Sequence, residues 1–165
     1  MTVVCPGSFD PVTHGHLDII ERALRTFGEV IVAVGQNLGK NYLFTPAERV
    51  DLVKQATSGM TGVSVAPMDG LLADFCRTHD ARVVVKGVRF AADFDLELQM
   101  AHINAVLGEI ETVILPASPQ WGTLSSTLVR DVALHGGDVS AFVPGAVAER
   151  IRWKMAQTRQ ENSHG

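Results

Sequence analysis

The sequence of 165 residues has no apolar run approaching the roughly 20 residues needed to cross a bilayer, which excludes a membrane-spanning helix. It has only two cysteines, Cys5 and Cys76, far apart and in no metal or redox spacing. Each lies in an apolar segment where a free thiol packs as a small hydrophobe, so neither is given any chemistry. The chain also lacks G-x-x-x-x-G-K-[ST] and G-x-G-x-x-G, which removes the ordinary kinase and dehydrogenase readings. It has no excess of positive charge. A net charge of −4 argues against an extended nucleic-acid surface, where many phosphates must be neutralised, while small anionic ligands need only a local basic cluster. Met1 to Pro6 carry neither a basic leader nor a signal-like apolar stretch, so a cytoplasmic location is expected. Without repeats, low-complexity tracts or a linker, one domain is expected over residues 1–158, with 159–165 a polar, disordered tail.

What is present is an alternation of short apolar runs with amphipathic stretches. The candidate strands are Val3–Cys5, Val30–Val34, Val63–Ala66, Arg82–Val85 and Thr112–Leu115, whose β-branched content suits strands covered on both faces. Helical patterns cover His16–Phe27, a segment opening at Thr45, then Leu71–Arg77, Asp93–Leu107, Ser126–Leu134 and Ala146–Met155. The clearest start is Thr45-Pro46-Ala47-Glu48, with a capping threonine, proline in the first turn and a glutamate able to complete a capping box. The alternation predicts the α/β class. A single Rossmann-like domain is expected, with a five-stranded parallel sheet of order 3-2-1-4-5, helices on both faces and a C-terminal helical segment.

Directly after the first strand comes Pro6-Gly7-Ser8-Phe9-Asp10-Pro11-Val12-Thr13-His14-Gly15-His16, then a helix with Leu17, Ile20 and Leu24 on one side. Free N–H groups and the dipole at a helix N-terminus favour anions, and glycine lets a phosphate approach the chain closely. A phosphate site is therefore the natural reading. His16 could equally be a plain helix cap; as a metal pair with His14 it lacks a third ligand at an obvious spacing, which counts against protein-held zinc. In the expected strand order, strands one and four meet at the switch point, bringing Ser8 and His16 to Lys86 and Arg89 of Lys86-Gly87-Val88-Arg89. Lys40, in the loop after strand two, reads either as a solvated lysine or as a ligand group at the carboxyl edge of the sheet. Ser125, Ser126 and Thr127 open a helix, as a simple cap or as receivers of phosphate.

Three blocks together carry a resemblance. Thr13-His14-Gly15-His16 fits [H/T]-x-G-H behind P-G-[ST]-F-D-P; Lys86 to Met100 follows [KR]-G-[LV]-R and A-D-F-[ED]-x-E-x-Q; Leu124 to Arg130 follows I-S-S-[ST]-x-x-[RK], with leucine for isoleucine. From about Val3 to Pro144 the chain resembles the nucleotidylyltransferase superfamily and, within it, the bacterial phosphopantetheine adenylyltransferase family. The resemblance implies reversible adenylyl transfer from ATP to 4'-phosphopantetheine, giving dephospho-coenzyme A and pyrophosphate. Mg2+ would be carried with ATP rather than by protein side chains, coenzyme A would be a feedback ligand, and the assembly would be a homohexamer.

By the same resemblance His16 and Lys40 are catalytic, with His16 stabilising charge on the α-phosphate. ATP would be contacted by Ser8, Phe9, His16, Gly87, Val88, Arg89 and Glu97, and by the stretch Trp121, Gly122, Thr123, Leu124, Ser125, Ser126 and Thr127. Phosphopantetheine would be held by Ser8, Lys40, Leu72 and Lys86. Leu72 is otherwise an ordinary core leucine, and Asp95, beside Glu97, reads as part of a solvated helix face. His14 and Arg130 are left without a role. The chain departs from the family at Lys86, where some relatives carry arginine, and at Trp121-Gly122-Thr123, where many have an aromatic residue followed by Ser-Phe. Sister transferases using nicotinate mononucleotide or glycerol phosphate generally lack the block at Ala92 to Gln99. A noncatalytic nucleotide-binding regulator would have no need of His16, Lys40 and Lys86 together.

Overall fold

The computed structural model describes residues 1–162 apart from Asn37, Leu38 and Lys40. The β-branched runs become five strands: β1 (Thr2–Gly7), β2 (Glu29–Gly35), β3 (Val63–Met68), β4 (Val83–Val88) and β5 (Glu111–Pro116). All pair in parallel in the order β3-β2-β1-β4-β5, as the alternation of elements predicts. The helices between them are α1 (His14–Phe27), α2 (Pro46–Ala56), α3 (Leu72–Thr78) and α4 (Ala91–Gly108), followed by α5 (Ser126–Leu134) and α6 (Gly145–Asn162). A single 3-10 turn, Pro119–Trp121, lies between β5 and α5.

Side chains alternate across a strand, and here that alternation divides the core in two. Val3 and Cys5 of β1 enter the larger cluster with Val30, Val32, Ile20 and Ile151, whereas Val4 faces the smaller one with Ala33, Val84, Phe75 and Cys76. Both cysteines are buried, as expected for small apolar fillers, and burial raises their thiol pKa values to about 12 for Cys5 and about 11 for Cys76. Two glycines are needed where they stand. Gly28 ends α1 at a φ of 91°, in the left-handed region, and a Cβ on Gly87 would lie 2.7 Å from Cγ1 of Ile19, so α1 could not approach the end of β4.

Most element ends differ from the sequence reading, by one to three residues at the strands and at α3 and α4, and two helix ends bear on the rest. Helix α1 begins at His14 rather than His16, and α6 runs to Asn162, into the stretch read as a polar tail. The extra turns of α6 are polar, and a polar helix end without an apolar stripe leaves no periodic signal to read.

Thr45 and Glu48 form the anticipated capping box: the Glu48 N–H donates to Thr45 Oγ1 at 3.2 Å and the Thr45 N–H to Glu48 Oε2 at 2.8 Å. The same carboxylate also receives Arg150 at 2.8 Å and Lys154 at 3.2 Å, pinning α6 onto the first turn of α2. Partial burial pushes the Glu48 pKa up, but the Thr45 N–H, Lys154 and Arg150 outweigh it and hold the group near 2, below its ordinary 4.5. A depressed carboxylate stabilises the fold above its ordinary value and loses that contribution as pH falls through the folded-state value. Glu48→Gln is therefore expected to lower the urea midpoint at neutral pH. The gap to the wild type should close as pH drops from 4.5 towards 2; a gap independent of pH would contradict this assignment.

Candidate functional site

The carboxyl ends of β1, β4 and β5 open onto one cleft of about 340 Å³, at the switch point where β1 and β4 pair through Val4 and Val84. Its floor is the β1 exit and the first turn of α1. Thr13 caps that helix by accepting the His16 N–H on Oγ1 at 3.3 Å, and the Thr13 N–H donates to His16 Nδ1 at 3.0 Å. This is a capping box with histidine in the place usually held by glutamate or glutamine. The consequence is chemical. Because Nδ1 is an acceptor, the proton of the neutral ring sits on Nε2, leaving a single donor at the other end of the imidazole. Burial, then Arg89, then Lys86 lower the pKa of His16 from 6.5 to about 4, so the ring is uncharged near neutral pH. Phe9 braces it edge-on, with ring centres 5.0 Å apart.

The walls are charged. Arg89 is gripped by Asp93, with Nε 2.9 Å from Oδ2, and its NH1 donates to the Leu124 carbonyl at 3.1 Å, joining the β4 exit to the segment before α5. Those hydrogen bonds from Arg89, opposed in part by burial, hold the Asp93 pKa below the usual carboxylate range. Lys86 Nζ lies 3.1 Å from Glu97 Oε1, so a cation of β4 is paired across to α4. Arg130 reaches back to the carbonyl and carboxylate of the buried Asp10, which also accepts the Leu43 and Phe44 N–H groups at 2.8 and 2.9 Å. The roof comes from α5, where Ser125 Oγ accepts the Leu128 N–H and Ser126 Oγ donates to the Pro11 carbonyl at 2.8 Å. The α5 N-terminus is thereby docked against the β1 exit, and two helix N-termini meet at one crevice.

The cleft gathers Ser8, Phe9, His16, Lys86, Gly87 and Arg89, together with Glu97, Trp121, Leu124, Ser125, Ser126 and Thr127. Val88 ends β4 and accepts the Ala117 N–H; Gly122 closes the 3-10 turn and Thr123 is exposed beyond it, none of the three on the cleft lining. Leu72 opens α3 and packs against the smaller core cluster with Ala66 and Met68, away from that lining. Lys40 lies outside the described residues. Asp95 is exposed, as a solvated helix face requires.

Several site residues were not singled out from sequence. Asp18 accepts Ser118 Oγ at 2.8 Å and pairs with Arg22, fixing the loop that carries Trp121. Asp10, Asp93 and Arg49 hold the other loops. His14, left unassigned from sequence, stacks on Trp121 with ring centres 5.2 Å apart. Among the described residues no group of three or more His, Cys, Asp or Glu is arranged to hold a metal ion.

The family described as Cytidylyltransferase-like matches residues 4–132. A phosphopantetheine adenylyltransferase of Thermobifida fusca is 51% identical, with 97% of this chain and 98% of that protein covered. Proteins of the same name from Symbiobacterium thermophilum and Cutibacterium acnes are 51% and 50% identical over 94% and 89% of the chain, covering 97% and 94% of their own. Among solved structures, a Vibrio parahaemolyticus chain provisionally named a nicotinate-nucleotide adenylyltransferase has a TM-score of 0.67 at 20% identity, covering 90% of this chain and 89% of its own. At that identity the likeness shows a shared fold.

With its pKa near 4, His16 should show ring nitrogen shifts that stay flat in NMR titrations between about pH 5 and 8, in the pattern of the Nε2–H tautomer. A titration centred near 6.5 would contradict the enclosure described for it.

Proposed function

The chain belongs to the Cytidylyltransferase-like family and to its phosphopantetheine adenylyltransferases, and on that footing we propose that its cleft transfers an adenylyl group from ATP to 4'-phosphopantetheine. The observation that carries the reading is the neutral His16, its Nε2–H left free by the Thr13 bond, standing at the switch point beside Lys86 and Arg89. An oxygen of the acceptor phosphate attacks the α-phosphorus of ATP. One P–O bond forms there, the bond to the β-bridging oxygen breaks in line, and pyrophosphate leaves with the electron pair. The acceptor phosphate is already ionised near neutral pH, so no protein base is required.

In this scheme His16 donates to a nonbridging α-phosphate oxygen, an interaction that strengthens as charge builds in the transition state. Lys86 and Arg89 offset the charge of the acceptor and the triphosphate, and the α5 N-terminus at Ser125 to Thr127 receives the β- and γ-phosphates. Ser8 and Lys40 hold the acceptor phosphate beside the nucleotide, and the pantetheine arm runs beyond the cleft lining to reach Leu72. Magnesium carried with ATP, rather than held by protein side chains, would help to offset the charge on the leaving pyrophosphate. Reversibility, a cytoplasmic location and feedback by coenzyme A complete the reading.

The homohexamer has support in α4. That helix leaves Leu96, Met100, Ile103, Val106 and Leu107 exposed along one side, Val106 at 87%, an apolar face of the kind that oligomers cover. Sedimentation should find the wild type as a hexamer, and Ile103→Asp with Val106→Asp as smaller species; a monomeric wild type would overturn this part.

Incubation with ATP, magnesium and 4'-phosphopantetheine should yield dephospho-coenzyme A and pyrophosphate, with no turnover of nicotinate mononucleotide; an inactive wild type would defeat the proposal. His16→Ala should lower kcat by about 10²–10³ while leaving the ATP KM within a few-fold. A kcat close to wild type would remove His16 from the chemistry.

A further inference from the structure

Three of the cleft's cations carry their own carboxylates: Lys86 has Glu97, Arg89 has Asp93 and Arg130 has Asp10. A fourth cation lies just behind the lining and has none among the described residues. Arg49, on the first turns of α2, is wholly buried. Its NH1 donates to two backbone carbonyls at once, Ser8 at 2.7 Å and Gly35 at 2.6 Å. The Tyr42 ring lies against the guanidinium, 4.3 Å from centroid to Cζ, while Nε and NH2 find no hydrogen-bond partner among the described residues. A buried guanidinium stays charged, and leaving such a charge without a counter-ion is costly, so an apolar side chain would suit the packing better.

The two carbonyls Arg49 holds belong to strand exits that lead into the cleft. Ser8 follows β1 and lines the cleft, Gly35 ends β2 and precedes the segment containing Lys40, and Tyr42 lines the cleft as the chain returns towards α2. Carbonyl oxygens repel an anion. In a trans peptide the C=O and the following N–H point in opposite directions, so holding the Ser8 and Gly35 oxygens against Arg49 turns the Phe9 and Gln36 N–H groups the other way. One side chain thus removes two acceptors from the phosphate side and adds an unneutralised positive charge behind it.

We propose that Arg49 is a positioning residue for the acceptor half of the reaction: it aligns the β1 and β2 exits around the acceptor phosphate, whose negative charge offsets the buried guanidinium. The inference rests on the acceptor assignment made above, and the wild type separates the two failures. A wild type that forms no dephospho-coenzyme A sinks the functional reading, whereas an active wild type lets the variants decide on Arg49.

The test compares wild type, Arg49→Met and Arg49→Lys by steady-state kinetics for each substrate, and by the thermal shift given by inorganic phosphate. Arg49→Met should lose at least about tenfold in kcat/KM for phosphopantetheine, with the ATP KM within about twofold, and should lose most of the phosphate-induced shift. Arg49→Lys, which keeps the charge but reaches only one carbonyl, should fall between the two. Equal losses for both substrates, unchanged acceptor kinetics, or a lysine variant no better than methionine would each overturn the proposal. So would failure of both variants to fold, which would assign Arg49 to stability alone.

Discussion

The bond from the Thr13 N–H to His16 Nδ1 is the constraint on which the site depends. It belongs to ordinary helix capping, yet it decides which ring nitrogen carries the proton and where that proton points. The usual partner at this place, a glutamate, would bring a negative charge to the helix end that must receive phosphate. Histidine satisfies the same backbone group while remaining neutral, and its far edge becomes a donor. The capping bond thus sets the donor geometry, while burial, then Arg89, then Lys86 keep the basicity of the ring low and Phe9 braces it edge-on.

Around that donor the protein gathers three cations, although the whole chain carries a net −4. The ion pairs of Arg89 with Asp93, Lys86 with Glu97 and Arg130 with Asp10 place a carboxylate beside each cation. Paired charges hold their geometry without isolated charge in a low-dielectric crevice. A polyanionic ligand must then share those cations with the carboxylates already present, which moderates binding and favours ligands that also engage the helix N-termini. The pairs do a second task by fastening loops: Arg89 also holds the Leu124 carbonyl, and Asp10 holds the backbone at Leu43 and Phe44.

The sheet was legible because its signals are local. Runs such as Val30–Val34 and Val83–Val85 can hardly be anything but covered strands, and their alternation with helices leaves little freedom in topology. Thr45 to Glu48 announced a helix start that the structure has; the start at Thr13 was displaced by two residues because histidine is not an expected capping partner. The segments that meet at the cleft could be named from their motifs, since Lys86 stands near the end of its strand and His16 and Ser126 at fixed places after theirs. The residues that tie those loops together could not. Asp10 meets Arg130 across 120 positions, Asp18 meets Ser118 across 100, and Arg49 meets Ser8 across 41. No periodicity or spacing encodes such contacts, because they depend on which strands the finished sheet makes neighbours.

The most direct test of the account is a crystal structure with magnesium and an ATP analogue that cannot transfer its adenylyl group. The account predicts His16 Nε2 about 3 Å from a nonbridging α-phosphate oxygen, with the Nδ1 bond to the Thr13 N–H retained. A His16 ring turned away from the phosphates, or an analogue bound outside the crevice between β1 and β4, would contradict it.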